Sequence, residues 1–204
     1  MRCRKKTVGK PCAGKPHARF DEGLLGRDHL PSQWPTLRSA SVRYAFRPVA
    51  WDDFAFLERW LHAPEVVRWW GDPAQQLALL REDMDEPAMT MLIVTGDDRP
   101  FAYAQHYEVH AWPQAHLAAL PPGSRAIDAF IGEPEMLGCG HGSAFLRLLA
   151  EALVRDGAPA VAIDPDVDNE RARRAYGNAG FHGYQIVDTE AGPAVLMFYE
   201  GRST

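Results

Sequence analysis

The order of hydrophobic and polar positions predicts a folded region that begins near Ser41 and combines strands with helices. Val42, Tyr44 and Phe46 alternate with arginines, a pattern typical of a strand that buries one face. The segment "DFAFLERWL" then repeats large apolar residues every three or four positions and ends before Pro64, which predicts a helix. "EVVRWWGDP" predicts a short helix or turn, and "AQQLALLREDMDEP" predicts another helix.

The second half of the chain alternates strand and helix patterns. "MTMLIVTGDDRPFAYAQHYEV" predicts a hairpin that turns at "GDD", and a proline-rich loop separates it from the apolar strand "RAIDAFIG". A glycine-rich turn, a helix through Val154, the strand "AVAID", a helix from about Asn169 to Asn178 and a hairpin around "TEAG" follow. The order β-α-α-α-β-β-β-α-β-α-β-β predicts an α/β domain with a mixed sheet of the α+β kind, not strict βαβ alternation.

Charge divides the chain into two predicted parts, a basic extension over residues 1–40 and a folded domain over residues 41–204. The first 47 residues carry 11 Lys+Arg and 3 Asp+Glu, whereas the remaining 157 carry 11 and 24. The basic segment has little apolar periodicity, which is typical of a disordered or loosely attached extension. Contact with an anionic partner and an extension without function are its two interpretations. The acidic remainder disfavours nucleic acid as the main ligand and favours a cationic substrate.

Bulk features restrict the cellular setting. The sequence contains no run of about twenty apolar residues, and its N-terminus lacks the apolar stretch of a secretory signal. The three cysteines, at positions 3, 12 and 139, have neither metal-ligand nor disulfide spacing. We therefore expect a cytoplasmic protein without membrane contact, either a monomer or a homodimer.

The segment "LGCGHGS", residues 137–143, places three glycines between a strand and a helix. Helix N-termini carry unpaired N–H groups and a partial positive charge, and glycine lets an anion approach them without side-chain interference. The spacing matches neither a Walker loop nor a dinucleotide fingerprint. A phosphate-binding turn and a tight turn without ligand are both compatible with this segment alone.

A second motif, "DPDVDNERARRAYGNAGF", follows the helix and strand after this turn, and the pairing resembles the GNAT superfamily of acetyl-CoA-dependent N-acetyltransferases. The resemblance implies that the fourth and fifth strands splay apart around acetyl-CoA, whose pyrophosphate lies on the glycine turn. Leu137 stands where the family has Gln or Arg, which removes one side-chain contact and leaves the backbone cradle. The implied coenzyme contacts at the two motifs are Leu137, Gly138, Cys139, Gly140, His141, Gly142, Ser143, Asn169 and Tyr176.

A closer resemblance, through most of residues 42–199, is to the aminoglycoside 6'-N-acetyltransferases. "VVRWWGD", "YAQHY", "AIDAFIGEPEMLGCGHG", "IDPDVDNERARRAYGNAGF" and "GPAVLM" occur in the same order and at similar spacing as in that branch. The implied reaction transfers acetyl from acetyl-CoA to a 6'-type primary amine of an aminoglycoside. Acylation of a siderophore precursor or other small amine is the alternative activity. A non-catalytic acyl-CoA-binding domain is a second alternative.

Two carboxylates are the candidates that hold and deprotonate the amine. Asp128 interrupts the apolar strand "AIDAFIG", where a buried carboxylate is costly unless it has a partner. Asp164 ends "AVAID" before a proline, at an expected edge of the sheet. If the two strands splay as in the family, both face the gap and can act on a cationic amine. The alternatives are an Asp that faces solvent at a strand end and an Asp that caps the next loop.

Tyr176 is the candidate proton donor to the departing thiolate, because a matching tyrosine usually has this role in the family. The alternative is a packing tyrosine on an amphipathic helix. The developing oxyanion calls for a backbone N–H donor, which we expect at Phe130 or Ile131.

Four further residues are candidate substrate contacts. Trp69 and Trp70 point about 100° apart on a helix, so one can lie in the core while the other lines the pocket; both in the core is the alternative. Gln105 and Tyr107 alternate in "YAQHY" and are expected to share a face.

The cysteine and histidine residues predict neither a metal site nor a covalent route. Cys139 belongs to the glycine turn, where its backbone is part of the cradle, and His141 beside it either contacts a phosphate or points to solvent. His106, His110 and His116 lie on a strand and a proline-rich loop without ligand spacing. We expect no metal cofactor.

Overall fold

A computed structural model of the protein describes residues 42–200 and the backbone of residues 37–38. Apart from those two residues, the predicted extension over residues 1–40 lies outside the described residues. The strands are β1 (Leu37–Arg38), β2 (Arg43–Pro48), β3 (Met89–Gly96), β4 (Arg99–Glu108), β5 (Arg125–Ile131), β6 (Val161–Ile163), β7 (Phe181–Thr189) and β8 (Gly192–Tyr199). The helices are α1 (Phe54–Leu61), α2 (Pro64–Trp70), α3 (Pro73–Asp83), α4 (His141–Arg155) and α5 (Glu170–Ala179).

The strands form one mixed sheet in the order β1-β2-β3-β4-β5-β6-β8-β7. Neighbouring strands are antiparallel except for β5 and β6, which are parallel and connected through α4. This architecture confirms the predicted α/β fold with a mixed sheet. The order of elements also matches the prediction, with the two-residue β1 added before β2.

Buried clusters on opposite faces of the sheet form the core. Met91 and Ile93 belong to the cluster of α1–α3, whereas Leu92 and Val94 belong to the cluster of α4. Because successive strand residues point to opposite faces, α1–α3 cover one face and α4 covers the other. None of the described helices is long and apolar enough to cross a membrane.

Local sequence determines where α3 begins and where the chain turns between β3 and β4. Asp72 accepts a hydrogen bond from the Gln75 N–H at 2.8 Å, and Pro73 lies in the first turn of α3. Asp97 and Asp98 have φ of 48° and 67° and form the two-residue turn between β3 and β4. This left-handed pair matches the twist of a tight hairpin, so the predicted hairpin at "GDD" is present.

The sheet opens between β5 and β6. The two strands pair only at Arg125↔Val161 and Ala126↔Ala162, and β6 then continues beside β8. Beyond this point β5 follows β4 alone as far as Ile131. The sequence prediction did not include β1, so its fourth and fifth strands are β5 and β6. The splay that the family resemblance implied is therefore present. The opening holds the candidate site.

Candidate active site

A cavity of about 510 Å³ lies where β5 and β6 separate, between α2, the glycine turn and α5. The predicted site residues that line it are Trp69, Trp70, Asp128, Phe130, Ile131, Leu137, Gly138, Gly140, Gly142, Ser143, Asp164, Asn169 and Tyr176. The predicted site residues outside its lining are Gln105, Tyr107, Cys139 and His141.

The glycine turn presents the first turn of α4 to the cavity. Gly138 and Gly140 have φ of 74° and 85°, a left-handed conformation that glycine adopts without strain. At Gly142 an added Cβ would meet Ile131 Cδ1 at an ordinary contact distance of 3.6 Å. Packing inside the protein therefore does not require glycine at position 142. The bare backbone at this position leaves the helix N–H groups open to an anion.

Cys139 and His141 direct their side chains away from the cavity. The Cys139 side chain is exposed, with its sulfur 3.5 Å from the Leu137 carbonyl oxygen. His141 Nδ1 lies 2.6 Å from the Tyr44 hydroxyl on β2, and the imidazole packs beside Phe101. These two residues can therefore serve a coenzyme through their main chain, and the partly exposed His141 side chain has Tyr44 as its hydrogen-bond partner.

Asp128 is held in place by a buried polar chain on β4. Gln105 Nε2 donates to Asp128 Oδ2 at 2.8 Å, and the Tyr103 hydroxyl donates to Gln105 Oε1 at 2.7 Å. Gln105 is fully buried, so it positions Asp128 and does not reach a molecule in the cavity. The expectation that Gln105 contacts the substrate does not fit this placement.

Tyr107 shares a strand face with Gln105, as expected, but it also lies away from the cavity. Its hydroxyl accepts a hydrogen bond from Gln114 Nε2 at 3.0 Å, and its ring packs edge-on against Trp112. Both partners belong to the loop between β4 and β5, which covers this part of β4. A substrate contact for Tyr107 is therefore not supported, because the loop buries it.

Asp164 follows β6 on the other side of the gap. The imidazole of His116, from the loop between β4 and β5, lies against it with Nε2 at 3.3 Å from Asp164 Oδ2. Sequence reasoning considered His116 only as a metal ligand, because a histidine in a loop has no spacing that connects it with a distant strand end. The fold brings the two residues together.

Tyr176 on α5 completes the group of titratable residues. Burial of its hydroxyl and the negative charges of Asp128 and Asp164 raise the pKa of Tyr176, so the phenol stays protonated at neutral pH. One side of its half-buried ring lines the cavity. Asn169 lies at the start of the same helix, where its Oδ1 accepts from the Ala172 N–H at 3.1 Å. The Asn and Tyr of the second motif thus line the same cavity.

Strand register distinguishes the two candidate oxyanion donors. The Arg125 N–H donates to the Ala160 carbonyl at 2.9 Å on the β6 side, whereas the Gly132 N–H donates to the Phe101 carbonyl at 2.9 Å on the β4 side. N–H groups alternate in direction along a strand. Odd-numbered residues of β5 therefore direct their N–H groups into the gap, which favours Ile131 over Phe130.

Trp69 and Trp70 both line the cavity but differ in environment. Trp70 is buried and packs edge-on against Phe130 and Tyr103, with ring centroids 4.8 and 6.0 Å apart. Trp69 is half-buried, and the Arg68 guanidinium carbon lies 4.8 Å from its ring centroid. Trp70 is a core residue that reaches the cavity, and Trp69 is the more accessible aromatic wall.

Charged residues that sequence reasoning missed also line the cavity. Glu65 on α2 and Arg171 on α5 form an ion pair of 2.8 Å, and Arg174 pairs with Glu170 at 3.0 Å. Helical spacing marks them only as surface residues, so no sequence pattern identified them. Within residues 42–200, no group of three or more His, Cys, Asp or Glu could hold a metal ion.

Comparison with known proteins identifies the family of the chain. A model of the GNAT acetyltransferase domain matches residues 50–189. The chain is 32% identical over 157 residues to an aminoglycoside N(6')-acetyltransferase type 1 of Klebsiella pneumoniae, covering 71% of this chain and 77% of that protein. It is 40% identical over 77 residues to a kanamycin resistance protein of Rhizobium radiobacter, covering 37% of this chain and 71% of that protein.

Similar solved structures include complexes of the aminoglycoside acetyltransferase AAC(6')-Ib. The complex with ribostamycin and coenzyme A is 31% identical, has a TM-score of 0.70 and covers 76% of this chain and 92% of that chain. The complex with coenzyme A and kanamycin is 31% identical, has a TM-score of 0.69 and covers 76% and 93%. The family match, the relatives and the splayed sheet agree, and the chain belongs to the GNAT acetyltransferase family.

Proposed function

We propose that the protein transfers the acetyl group of acetyl-CoA to a 6'-type primary amine of an aminoglycoside. The convergence of the glycine turn, Asp128, Asp164 and Tyr176 on one cavity carries this proposal. The helix N–H groups at the turn suit the diphosphate of the coenzyme, and the two carboxylates suit a cationic amine. The AAC(6')-Ib complexes with ribostamycin and with kanamycin support the same substrate class.

The site residues divide the reaction between binding and proton transfer. Asp128 and Asp164 hold the substrate ammonium and accept a proton from it, so that the neutral amine can attack the thioester carbonyl. The Ile131 N–H donates to the carbonyl oxygen as negative charge develops there. As the C–N bond forms and the C–S bond breaks, Tyr176 donates a hydrogen bond and then its proton to the departing sulfur. The nitrogen loses its second proton as the amide forms, and this proton restores the Tyr176 phenol. The products are the N-acetylated sugar and the free thiol.

The setting of the enzyme is also part of the proposal. The three cysteines without disulfide spacing favour the cytoplasm. The acidic residues that dominate after residue 47 disfavour nucleic acid as a partner. A monomer or a homodimer remains the expected state.

A thiol-release assay with the purified full chain and acetyl-CoA tests the activity. We expect turnover with an aminoglycoside that has a 6'-amine and none with a matched aminoglycoside that has a 6'-hydroxyl. Turnover with diamines or hydroxylysine alone would move the substrate class to siderophore precursors. Calorimetric binding of coenzyme A without turnover of any amine would identify a non-catalytic acyl-CoA-binding protein.

A further inference from the structure

The imidazole of His116 is buried beside the active-site cavity without a well-formed hydrogen bond. Its side chain is 7% exposed, and Nε2 lies 3.3 Å from Asp164 Oδ2 without the alignment of a hydrogen bond. Burial of a polar nitrogen is unfavourable unless a partner satisfies it. The partner within reach is a carboxylate that lines the cavity.

The loop holds His116 firmly in this position. The neighbouring Leu117 is buried in the core cluster of α1–α3, and its N–H donates to the Gln114 carbonyl at 3.0 Å. The Leu120 N–H donates to the Leu117 carbonyl at 3.0 Å, and His110 Nε2 lies 2.8 Å from the Leu120 carbonyl oxygen. These contacts fix the loop on both sides of His116, so its imidazole is a built part of the site.

An imidazole in this position can accept a proton during the reaction. A substrate ammonium must lose a proton before attack, and a carboxylate with an ordinary pKa near 4 is a weak acceptor for it. Imidazole is the side chain whose ordinary titration lies between pH 5 and 8, which suits a proton acceptor at neutral pH. We propose that His116 is a positioning residue that acts through Asp164, receiving the amine proton that the Asp164 carboxylate takes from the substrate.

This proton transfer rests on the proposed function. The ammonium loses one proton to the Asp164 carboxylate, which passes it to His116 Nε2 and returns to its charged form. The neutral amine then forms the C–N bond while the C–S bond breaks. The imidazolium releases its proton to solvent before the next turnover. Tyr176 supplies the separate proton that the thiolate needs, and it regains one from the nitrogen, which loses its second proton as the amide forms.

The titratable groups of the cavity and of this loop come from several elements. Asp164 follows β6, Asp128 lies on β5, Tyr176 lies on α5, and His110 lies on the same loop as His116. Tyr176 remains protonated because its pKa is raised. The proton that leaves the amine therefore goes to the Asp164–His116 pair.

The test compares His116→Gln with wild type from pH 5.5 to 8.5, using acetyl-CoA and the 6'-amino aminoglycoside. The ratio of wild-type to variant kcat cancels the titration of the substrate. We expect a ratio of about tenfold or more at pH 8 that falls toward one at pH 5.5, where a protonated imidazole cannot accept a proton. His182→Gln, at an exposed histidine near the start of β7, is the control and should match wild type at every pH.

A kcat ratio that is constant across this pH range would reduce His116 to a structural role and overturn the proposal, as would an unchanged kcat. Calorimetry with coenzyme A verifies that each variant is folded, and His116→Asn replaces His116→Gln if the latter is not. Turnover of a diamine without turnover of the sugar rejects only the substrate class, and the same profile is then measured with that diamine. Absence of turnover with every amine rejects both proposals.

Discussion

At the scale of single residues, Gln105 orients Asp128, whereas the Asp128 carboxylate itself supplies the negative charge. Asp128→Asn removes the negative charge that attracts the ammonium and accepts its proton, so kcat/KM should fall by about 10²–10⁴-fold. Gln105→Leu keeps that charge but removes the donor 2.8 Å from Oδ2, and we expect a loss of about tenfold through misplacement of the carboxylate. Steady-state kinetics with acetyl-CoA and an aminoglycoside measure both losses.

The control for these variants is affinity for coenzyme A, because neither residue belongs to the glycine turn. Calorimetry should give wild-type affinity for both. Equal kinetic losses in Gln105→Leu and Asp128→Asn would show that Gln105 does more than position its neighbour.

Substitutions at Gly142 can distinguish the stability of α4 from its capacity to bind an anion. Gly142→Asp places a carboxylate in the first helical turn, which stabilises a helix by about 0.3–1 kcal/mol through the helix dipole. The same carboxylate would repel a diphosphate at the turn. We expect an unchanged or higher midpoint of thermal unfolding together with a loss of coenzyme A affinity of about a hundredfold or more, equivalent to about 2.8 kcal/mol.

Gly142→Asn is the matched variant, since it adds almost the same volume without the charge. Its loss of coenzyme A affinity should be clearly smaller than that of Gly142→Asp. Wild-type affinity in both variants would mean that the diphosphate does not approach Gly142.

Residue placements differ in how well the sequence predicted them. The position of the glycine turn and of Tyr176 at the cavity was predictable because both belong to short, contiguous motifs. Gln105 and Tyr107 were assigned to the correct strand face, but the loop over them and the Asp128 contact decide their burial. His116 was out of reach, because its partner Asp164 is distant in sequence and only the fold brings them together.

At the scale of elements, the Glu65–Arg171 ion pair links α2 and α5 beside the cavity. Both side chains are about half exposed, so loss of the pair should cost less than about 1 kcal/mol of unfolding free energy in either variant. The effects on a polycationic substrate should nevertheless differ. Arg171→Gln releases a third carboxylate in the cavity and should lower KM by up to about fivefold, whereas Glu65→Gln should not lower it.

Urea unfolding and KM for the aminoglycoside test this pair of variants. Affinity for coenzyme A is measured in parallel, because Arg171 lies on the helix that flanks the gap. A similar change of KM in both variants would indicate that the bridge matters only as a mechanical link between the helices.

The elements themselves were largely predictable from the sequence. Helix α1 repeats its apolar residues at helical spacing, and the β3–β4 hairpin is marked by "GDD", because such patterns reflect burial of one face and tight turns. The separation of β5 from β6 is different. The sequence of the strand that holds Asp128 and Ile131 does not indicate that its pairing with the next strand stops early. Only the family resemblance implied this.

At the scale of the whole molecule, charge and burial determine the response to pH. Burial opposes ionisation of Asp53, but hydrogen bonds from Arg47 and the Ala50 N–H, with the charge of Arg47, outweigh it and lower the pKa of Asp53. Its contribution to stability is therefore present above the ordinary carboxyl pKa near 4 and is lost only in stronger acid. Asp53 should leave stability between pH 5 and 6.5 unchanged.

His106, in contrast, makes stability depend on pH within that interval. It is buried on β4, and burial together with the charge of Arg125 lowers its pKa from 6.5 to about 3. Between these values the unfolded chain binds a proton that the folded protein does not, so the free energy of unfolding decreases as pH falls below 6.5. One such proton corresponds to about 1.4 kcal/mol per pH unit, or about 2 kcal/mol between pH 6.5 and 5.

Urea unfolding of the full chain across this interval should therefore give a sloping stability curve for wild type and a flatter one for His106→Gln, whose amide does not titrate. His182→Gln is the control, because His182 is exposed at the start of β7 and its replacement should keep the wild-type slope. If the His106→Gln curve runs parallel to that of wild type, His106 takes up a proton in the folded state and the sheet accommodates a charge at this position. A flatter curve would instead identify burial of a neutral histidine as a source of acid sensitivity separate from the active-site carboxylates.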